Sequence, residues 1–244
     1  NKASGLTSHD VVSRVRRILK TKEVGHSGTL DPLATGLMVL LIGEATKLSA
    51  FVTEGNKSYE VGVKLGVTTD TLDITGNLLT EKQISQTTPQ ILETALSLHG
   101  EMNLPIPMFS AKKIDGKKLY EYAREGEVIE VPSKLMTFWD VKHVQDLNFH
   151  LHCSKGSFIR SWVSLLGEKL GCGATMKSLN RTSSHTFNLT EAVTLEELEQ
   201  MSAEKQSKIL IPLDQALKGV KSLRINGQDA VLMKNGQISH SLRT

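Results

Sequence analysis

"KSYEVGVKLGV", residues 57–67, alternates without a break: Tyr59, Val61, Val63 and Leu65 fall on one side of an extended chain, and Glu60, Gly62 and Lys64 on the other. Side chains on a strand point to opposite faces with a period of two, so this pattern predicts a strand with one face buried and one wet. Such alternation belongs to antiparallel sheets, because strands covered by helices on both faces read as unbroken apolar runs. Its downstream flank, "TTDTLDITG" (68–76), supplies the turn chemistry that ends it. Two further strands are predicted around "LMTFWDVKHV" (135–144) and "NFHLHCS" (148–154), the second alternating Phe149, Leu151 and Cys153. "GLMVLLIG" (36–43) is a continuous apolar run and reads as a strand buried on both faces, followed by a short helix in "EATKLSAFV" (44–52).

Helices punctuate these strands. In "TSHDVVSRVRRILK" (7–20), Val11, Val12, Val15, Ile18 and Leu19 recur at helical spacing behind a Thr7 or Ser8 cap, leaving Arg14, Arg16, Arg17 and Lys20 as a solvated face. "PQILETALSLHG" (89–100) has proline in its first turn and glycine just past its end. "SFIRSWVSLLGEKLG" (157–171) and the acidic "TLEELEQM" (194–201) complete the set. Strand clusters separated by a few helices point to an α+β fold rather than a doubly wound sheet. Residues 101–135 break the pattern with three prolines, a tight turn at Asp115-Gly116 and a lysine cluster, and read as an excursion from the core. Near the end, "SLRINGQDAVLMKNGQIS" (222–239) reads as one or two strands around Asn-Gly turns.

Composition narrows the function classes. The 244 residues are 39% hydrophobic and 23% charged, an ordinary globular balance, and the net charge of +3 permits a polyanionic partner without requiring one. Two cysteines, Cys153 and Cys172, are too few for a disulfide framework, and the eight histidines show no metal-ligand spacing beside a cysteine or carboxylate cluster. No metal or cofactor is therefore expected. No apolar run reaches membrane-spanning length and no signal-peptide pattern opens the chain, so a cytoplasmic protein is expected. No interface stripe suggests more than a monomer.

Chemistry concentrates in "VGHSGTLDPLATG" (24–36), where Asp31 stands between leucine and proline in a loop with three glycines, five residues after His26. The loop lacks both the Gly-Lys-Ser/Thr ending and the Gly-x-Gly-x-x-Gly spacing of phosphate-binding loops. Residue type alone leaves Asp31 open between a turn former before Pro32 and a reactive carboxylate. Asp31, Asp70 and Asp73 raise a glycosidase pair, but the turn-like setting of Asp70 and Asp73 favours a structural role for them. Cys153 points into a core face, where a thiol is inert.

Four ordered stretches carry a resemblance. "GHSGTLDPLATG" (25–36), "KSYEVGVKLGVTTDTLDITG" (57–76), "PIPMFSAKKIDGKKLYEYAREG" (105–126) and "HCSKGSFIRSWVSLLGEKLGCGA" (152–174) together closely resemble the TruB family of tRNA pseudouridine synthases, and "NKASGLTSHDVV" (1–12) looks like that family's first motif. The match runs to about residue 187. It implies the pseudouridine synthase fold, an α+β fold with a mixed, largely antiparallel central sheet and flanking helices, and an isomerase, an intramolecular transferase that converts uridine 55 in the T arm of tRNA by base flipping, with no cofactor or metal.

By the same resemblance, Asp31 acts on the uridine, Arg160 pairs with it, and Tyr59 stacks on the base and helps remove the carbon-5 proton. Phe158, Leu179 and Lys155 fall among the substrate-binding positions, and His26 fills the space a flipped nucleotide leaves. Lys112, Lys113, Lys117 and Lys118 resemble an inserted segment that closes over the T loop. The implied domains are a catalytic domain at 1–187 carrying the 101–135 insertion, a helix and linker at 188–218, and the start of a truncated PUA-like module at 219–244. Asn1, Ala3, Phe158 and Asn180 depart from the usual residues. The alternative to an active enzyme is a catalytically weak tRNA-binding or tRNA-folding module of the same fold.

Overall fold

The computed structural model describes residues 1–127, 129–217 and 223–238. The chain divides into two compact units, Asn1–Ile211 and Pro212–Thr244. The larger is organised by five long strands: β1 (Lys57–Leu65), β2 (Gly100–Pro105), β3 (Ser133–Gln145), β4 (Asn148–Cys153) and β5 (Ala174–Ser184). They lie side by side in the order β5-β1-β4-β3-β2, all antiparallel. Two short pieces on β5 bring the sheet to seven strands: Phe187–Asn188 continues it, and Thr35–Gly36 pairs with it in parallel.

The alternation of β1 is borne out at Tyr59, Val61, Val63 and Leu65, buried in the main core, and at Glu60 and Lys64, which are exposed; Gly62, expected on the exposed face, is buried beneath the side chains of Asn148 and Ser178. Opposite them on β4, Phe149, Leu151 and Cys153 are almost wholly buried. Helices α1 (Ser8–Ile18), α2 (Thr88–Ser97) and α3 (Ile159–Lys169) accompany the sheet. Helix α3 buries Trp162, Val163 and Leu166 in this core. The Trp162 ring meets Phe149 edge-on at 5.9 Å, and its indole nitrogen donates to the Leu98 carbonyl at 2.9 Å, so the large side chain is packed and also satisfied. Helix α1 starts with a capping box between Thr7 and Asp10 and builds a smaller core with Val11, Val12, Val15, Met38, Leu195 and Leu198.

Three expectations need correction. The run 36–43 is not one strand: Thr35–Gly36 joins β5, while Leu40–Ile42 pairs with Val24–His26. The chain crosses here between cores, Ala34 packing into the main one and Met38 into the smaller one, which a continuous hydrophobic run conceals. Residues 101–105 and 133–135, the two ends of the expected excursion, are not part of it, because Gly100–Pro105 is the edge strand of the main sheet and pairs with Ser133–Phe138 of β3; its two-sided mixed character is that of an edge, where Pro105 can end the pairing. The expected hairpin does form just beyond, with Lys113–Ile114 pairing Lys117–Lys118 around Asp115 and Gly116, both at positive φ.

The third correction lies in the smaller unit. Residues 227–234, expected as strand, are the helix Gly227–Lys234 with Asn226 at its N-cap. Ala230, Val231, Leu232 and Met233 form an unbroken apolar run in which alanine, leucine and methionine favour helix, and such a run carries no period-two signal. The rest of the 219–244 expectation at 219–222 and 239–244 lies outside the described residues.

Candidate active site

The loop bearing Asp31 is built as a hairpin stem with a pinned tip. Val24–His26 pairs antiparallel with Leu40–Ile42, and the Ser27 amide extends the ladder to the Val39 carbonyl at 3.1 Å. At the tip the Ala34 amide donates to the Asp31 carbonyl at 3.0 Å, closing a turn with Pro32 in its second position. The turn-forming role of Asp31 is therefore real and uses its backbone, leaving the carboxylate free.

Three sets of contacts hold this tip. From one side Ser8 Oγ donates to the Leu30 carbonyl at 3.1 Å and accepts from the Leu30 amide at 2.9 Å. From the N-terminal segment, Lys2 exchanges backbone hydrogen bonds with Gly36, and its buried ammonium donates to the Pro32 carbonyl at 3.1 Å. From the sheet, Arg181 of β5 donates Nε to the Leu37 carbonyl at 2.6 Å and reaches the Thr29 and Gly28 carbonyls at 3.5 and 3.4 Å. Gly36 sits at φ +98°, and a side chain there would collide with the Arg181 backbone, so only glycine fits.

Arg160, in the first turn of α3, meets the free carboxylate: Nε lies 3.0 Å from Asp31 Oδ2, and Nη2 donates to Oδ1 at 3.0 Å. The remaining donors reach the Thr71 carbonyl at 2.9 Å and the Phe109 carbonyl at 3.0 Å. One guanidinium thus ties together the Asp31 loop, the 70–77 turn and the segment after β2, with its planar fork fixing the orientation of the carboxylate. Arg160 is 5% exposed and Asp31 30%, so the acid stays reachable while its partner is sealed. Burial raises the Asp31 carboxyl from its ordinary value, the Arg160 guanidinium opposes the rise, and Asp73 adds to it.

Asp70 and Asp73 have structural work. Asp73 Oδ1 accepts from the Thr75 amide at 2.9 Å and the Thr71 hydroxyl at 3.0 Å, and Asp70 accepts from the Asn77 amide at 2.8 Å. They shape the turn whose carbonyl receives Arg160. Cys153 is buried, with its thiol pushed up to about 12 by that burial, which keeps it protonated.

Tyr59 lies on β1 directly opposite Arg181 in the β1–β5 register, and Leu179 lies opposite Val61 on the same face. The Tyr59 hydroxyl is pushed up to about 12 by desolvation, against the pull of Arg181, so it is a neutral phenol throughout the physiological range. Phe158 is the N-cap residue of α3, half-buried against the main core. His26 is half-buried at the end of the hairpin stem, and burial lowers its imidazole from the ordinary value. Its Nδ1 is buried without a hydrogen-bond partner.

The predicted lysines are not alike. Lys155 is ion-paired with Glu54 on the surface. Lys117 is bound by Glu125 and by Glu127, the latter at 3.0 Å, and sits 4.4 Å over the Tyr122 ring. Lys118 donates to the Tyr120 hydroxyl at 3.1 Å. Lys112 and Lys113 are exposed. Arg181 and Lys2 were not singled out from the sequence. Neither carried a sequence signal: Arg181 lies on β5, whose alternation is broken by register shifts, and both side chains bind backbone carbonyls.

The chain is similar to known proteins over most of its length. Residues 16–159 match the model described as TruB family pseudouridylate synthase, N-terminal domain, and residues 160–218 match the tRNA pseudouridylate synthase B C-terminal domain. A protein of Bdellovibrio bacteriovorus named tRNA pseudouridine synthase B is 49% identical, covering 100% of this chain and 81% of that protein. One of the same name from Geobacillus thermodenitrificans is 38% identical over 98% of this chain and 83% of its own length. Among solved structures, a Cbf5-Nop10-Gar1 complex aligns with a TM-score of 0.67 at 23% identity, over 88% of this chain and 59% of that one. The archaeal box H/ACA sRNP Nop10-Cbf5 complex gives a TM-score of 0.65 at 22% identity, again over 59% of that chain. At such identity these structures establish the shared fold.

The family matches, together with the shared fold, define an RNA-modifying isomerase of the pseudouridine synthase class. Within that class, this chain belongs to the TruB family of tRNA pseudouridylate synthases.

Proposed function

We propose that this enzyme converts uridine 55 in the T arm of tRNA to pseudouridine, acting alone as a cytoplasmic monomer with Asp31 as its reactive group. The observation that carries the reading is the forked Asp31–Arg160 pair, whose carboxylate remains 30% exposed. The reaction breaks the bond between uracil N1 and the ribose and makes one between uracil carbon 5 and the same ribose carbon. Carbon 5 loses a proton and N1 gains one. Electrons and atoms balance without oxidant, water or cofactor, so the protein has to supply a carboxylate, a route for one proton, and a pocket that retains the free base.

Asp31 supplies the carboxylate at the moment of bond cleavage, and Arg160 keeps it ionised and aimed. Tyr59 offers a ring for the base to stack on and a neutral hydroxyl through which the carbon-5 proton can leave, while Leu179 and Phe158 close the apolar sides. A uridine within a folded arm must leave its stack to reach this pocket. His26, a neutral ring on the rim with an unpartnered nitrogen, takes the space the base leaves. Lys112, Lys113, Lys118 and Lys155 supply positive charge for the phosphate backbone, Lys155 by exchanging Glu54 for a phosphate, whereas Lys117 is already held by Glu125 and Glu127.

Tritium release from tRNA transcripts labelled at uridine carbon 5 tests the reading. Wild type releases tritium from position 55, and Asp31→Asn binds the transcript but releases none. A wild-type protein that binds without release would instead be a binding module of this fold, and an Asp31→Asn variant with near-normal turnover would remove Asp31 from the chemistry.

A further inference from the structure

The face of the sheet turned away from Asp31 carries a second grouping of chemically able side chains. On β4, Phe149, Leu151 and Cys153 face the core, so His150 and His152 point together to the other side. They meet edge to face with ring centroids 5.0 Å apart. On the neighbouring strand β3 the register slips, Trp139 lying opposite His152 and Lys142 opposite His150, so one extra residue is accommodated between them. This is a β-bulge, a device that re-aims a side chain. The re-aimed residue is Asp140, at φ +51°, and its Oδ2 lies 3.5 Å from His152 Nε2.

We propose that Asp140, His150 and His152 form a site for a divalent transition metal, with Zn²⁺ as its natural occupant, that staples β3 to β4. One ligand atom from each of the three residues lies within 4.8 Å of the others. Tetrahedral ligands about 2.1 Å from zinc stand roughly 3.4 Å apart, so the group needs to contract by about an ångström or a little more. Two imidazoles and one carboxylate suit zinc and its neighbours in the series far better than magnesium or calcium, which prefer oxygen alone.

The support behind the ligands is already in place. His152 Nδ1 is 2.9 Å from Ser58 Oγ on β1, and that hydroxyl is 2.6 Å from Ser183 Oγ on β5. With the proton on Nδ1, donated to Ser58 Oγ, and the Ser58 hydroxyl donating on to Ser183, Nε2 is left for a metal, as metal-binding histidines require. Glu60 lies opposite His150 in the β1–β4 register and is exposed. The competitor is Lys142, whose ammonium lies 2.8 Å from Asp140; it is 64% exposed and can swing into solvent. Sequence spacing hides the site, because the two histidines are separated by one residue and the carboxylate comes from another strand through a bulge.

The test is a ZnCl₂ titration of full-length protein lacking any histidine tag, in competition with a chromophoric chelator, alongside CoCl₂ absorption spectra. Wild type should take up one equivalent of Zn²⁺, show a tetrahedral-type cobalt spectrum, ignore MgCl₂ and melt at a higher temperature with zinc. His150→Gln should weaken binding at least about a hundredfold, and Ser58→Ala on the order of tenfold. Lys142→Met should tighten it several-fold, a gain that no folding defect can imitate. The proposal is overturned if wild type takes up no stoichiometric zinc, or if uptake survives in a folded His150→Gln/His152→Gln protein.

Discussion

Arg160 meets Asp31 through two near-equal contacts, Nε to Oδ2 and Nη2 to Oδ1, both at 3.0 Å, while its other donors hold the Thr71 and Phe109 carbonyls. Lysine could keep the charge but not the fork, nor the two carbonyl contacts. Arg160→Lys should therefore leave tRNA affinity within about threefold of wild type and lower the single-turnover rate roughly a hundred- to a thousandfold, because a misplaced reacting group loses most of its advantage. A rate within tenfold of wild type would show that charge alone suffices.

Asp31 should also trade stability for activity. A carboxyl whose value is raised by the fold binds its proton more tightly when folded, so its stabilising contribution is present below the ordinary carboxylate range and is lost as pH rises through the raised value. At pH 7 the wild type holds a partly buried charge that the asparagine variant lacks. Asp31→Asn should melt at the same temperature or higher at neutral pH, with the difference shrinking in acid, while turnover falls by a factor on the order of 10⁴ or more. In wild type the acid limb of the single-turnover rate should lie above the ordinary carboxylate range, and it should move higher still in Arg160→Met. Melting curves from pH 3 to 8 and rates over the same range decide both points.

Much of this was legible in the sequence because it is local. Alternation in 57–65 and 148–153 gave the strands, and helical periodicity with caps gave α1, α2 and α3. Strand β5 was hidden because register shifts at 176–178 and 181–183 break its alternation, producing an irregular inside-outside pattern. The Asp31–Arg160 pair could be anticipated only through the resemblance of whole motifs, since 129 residues separate its members. Arg181 and Lys2 escaped for a related reason: each binds backbone carbonyls, and a carbonyl acceptor leaves no mark on residue type.

Tyr59 should act as a neutral phenol. With its hydroxyl pushed up to about 12, only about one molecule in 10⁵ carries a phenolate at pH 7, too few for the anion to be the working base. The single-turnover rate should therefore stay flat between pH 7 and 9, where a phenolate requirement would give a tenfold rise per unit. Tyr59→Phe should keep tRNA binding and the stacking surface but slow turnover about a hundredfold or more through loss of the hydroxyl. A steady climb in rate with pH would contradict this.

Arg181 should prove structural to the site without touching substrate. It is 2% exposed and holds carbonyls at both ends of the Asp31 loop. Arg181→Met approximates its volume but leaves those carbonyls unsatisfied, at a cost of about 2 to 4 kcal/mol. Chemical denaturation should show that loss at constant m-value, and the surviving folded protein should turn over slowly because the Asp31 loop is no longer held. If stability falls while the rate per folded molecule is unchanged, Arg181 does not position Asp31.

The lysines of the 112–118 hairpin should divide by their partners. Lys117 is already neutralised by Glu125 and Glu127, whereas Lys112 and Lys113 are exposed. A lysine that displaces counterions from RNA phosphates contributes to the salt dependence of binding, and one satisfied by carboxylates does not. Lys112→Ala and Lys113→Ala should each weaken tRNA binding and reduce the slope of log affinity against log salt by somewhat less than about one unit. Lys117→Ala should leave that slope unchanged and instead lower thermal stability slightly, by loosening the chain around Tyr122. Fluorescence binding titrations between about 50 and 300 mM KCl separate the two behaviours, and a reduced slope for Lys117→Ala would mean that RNA displaces its carboxylate partners.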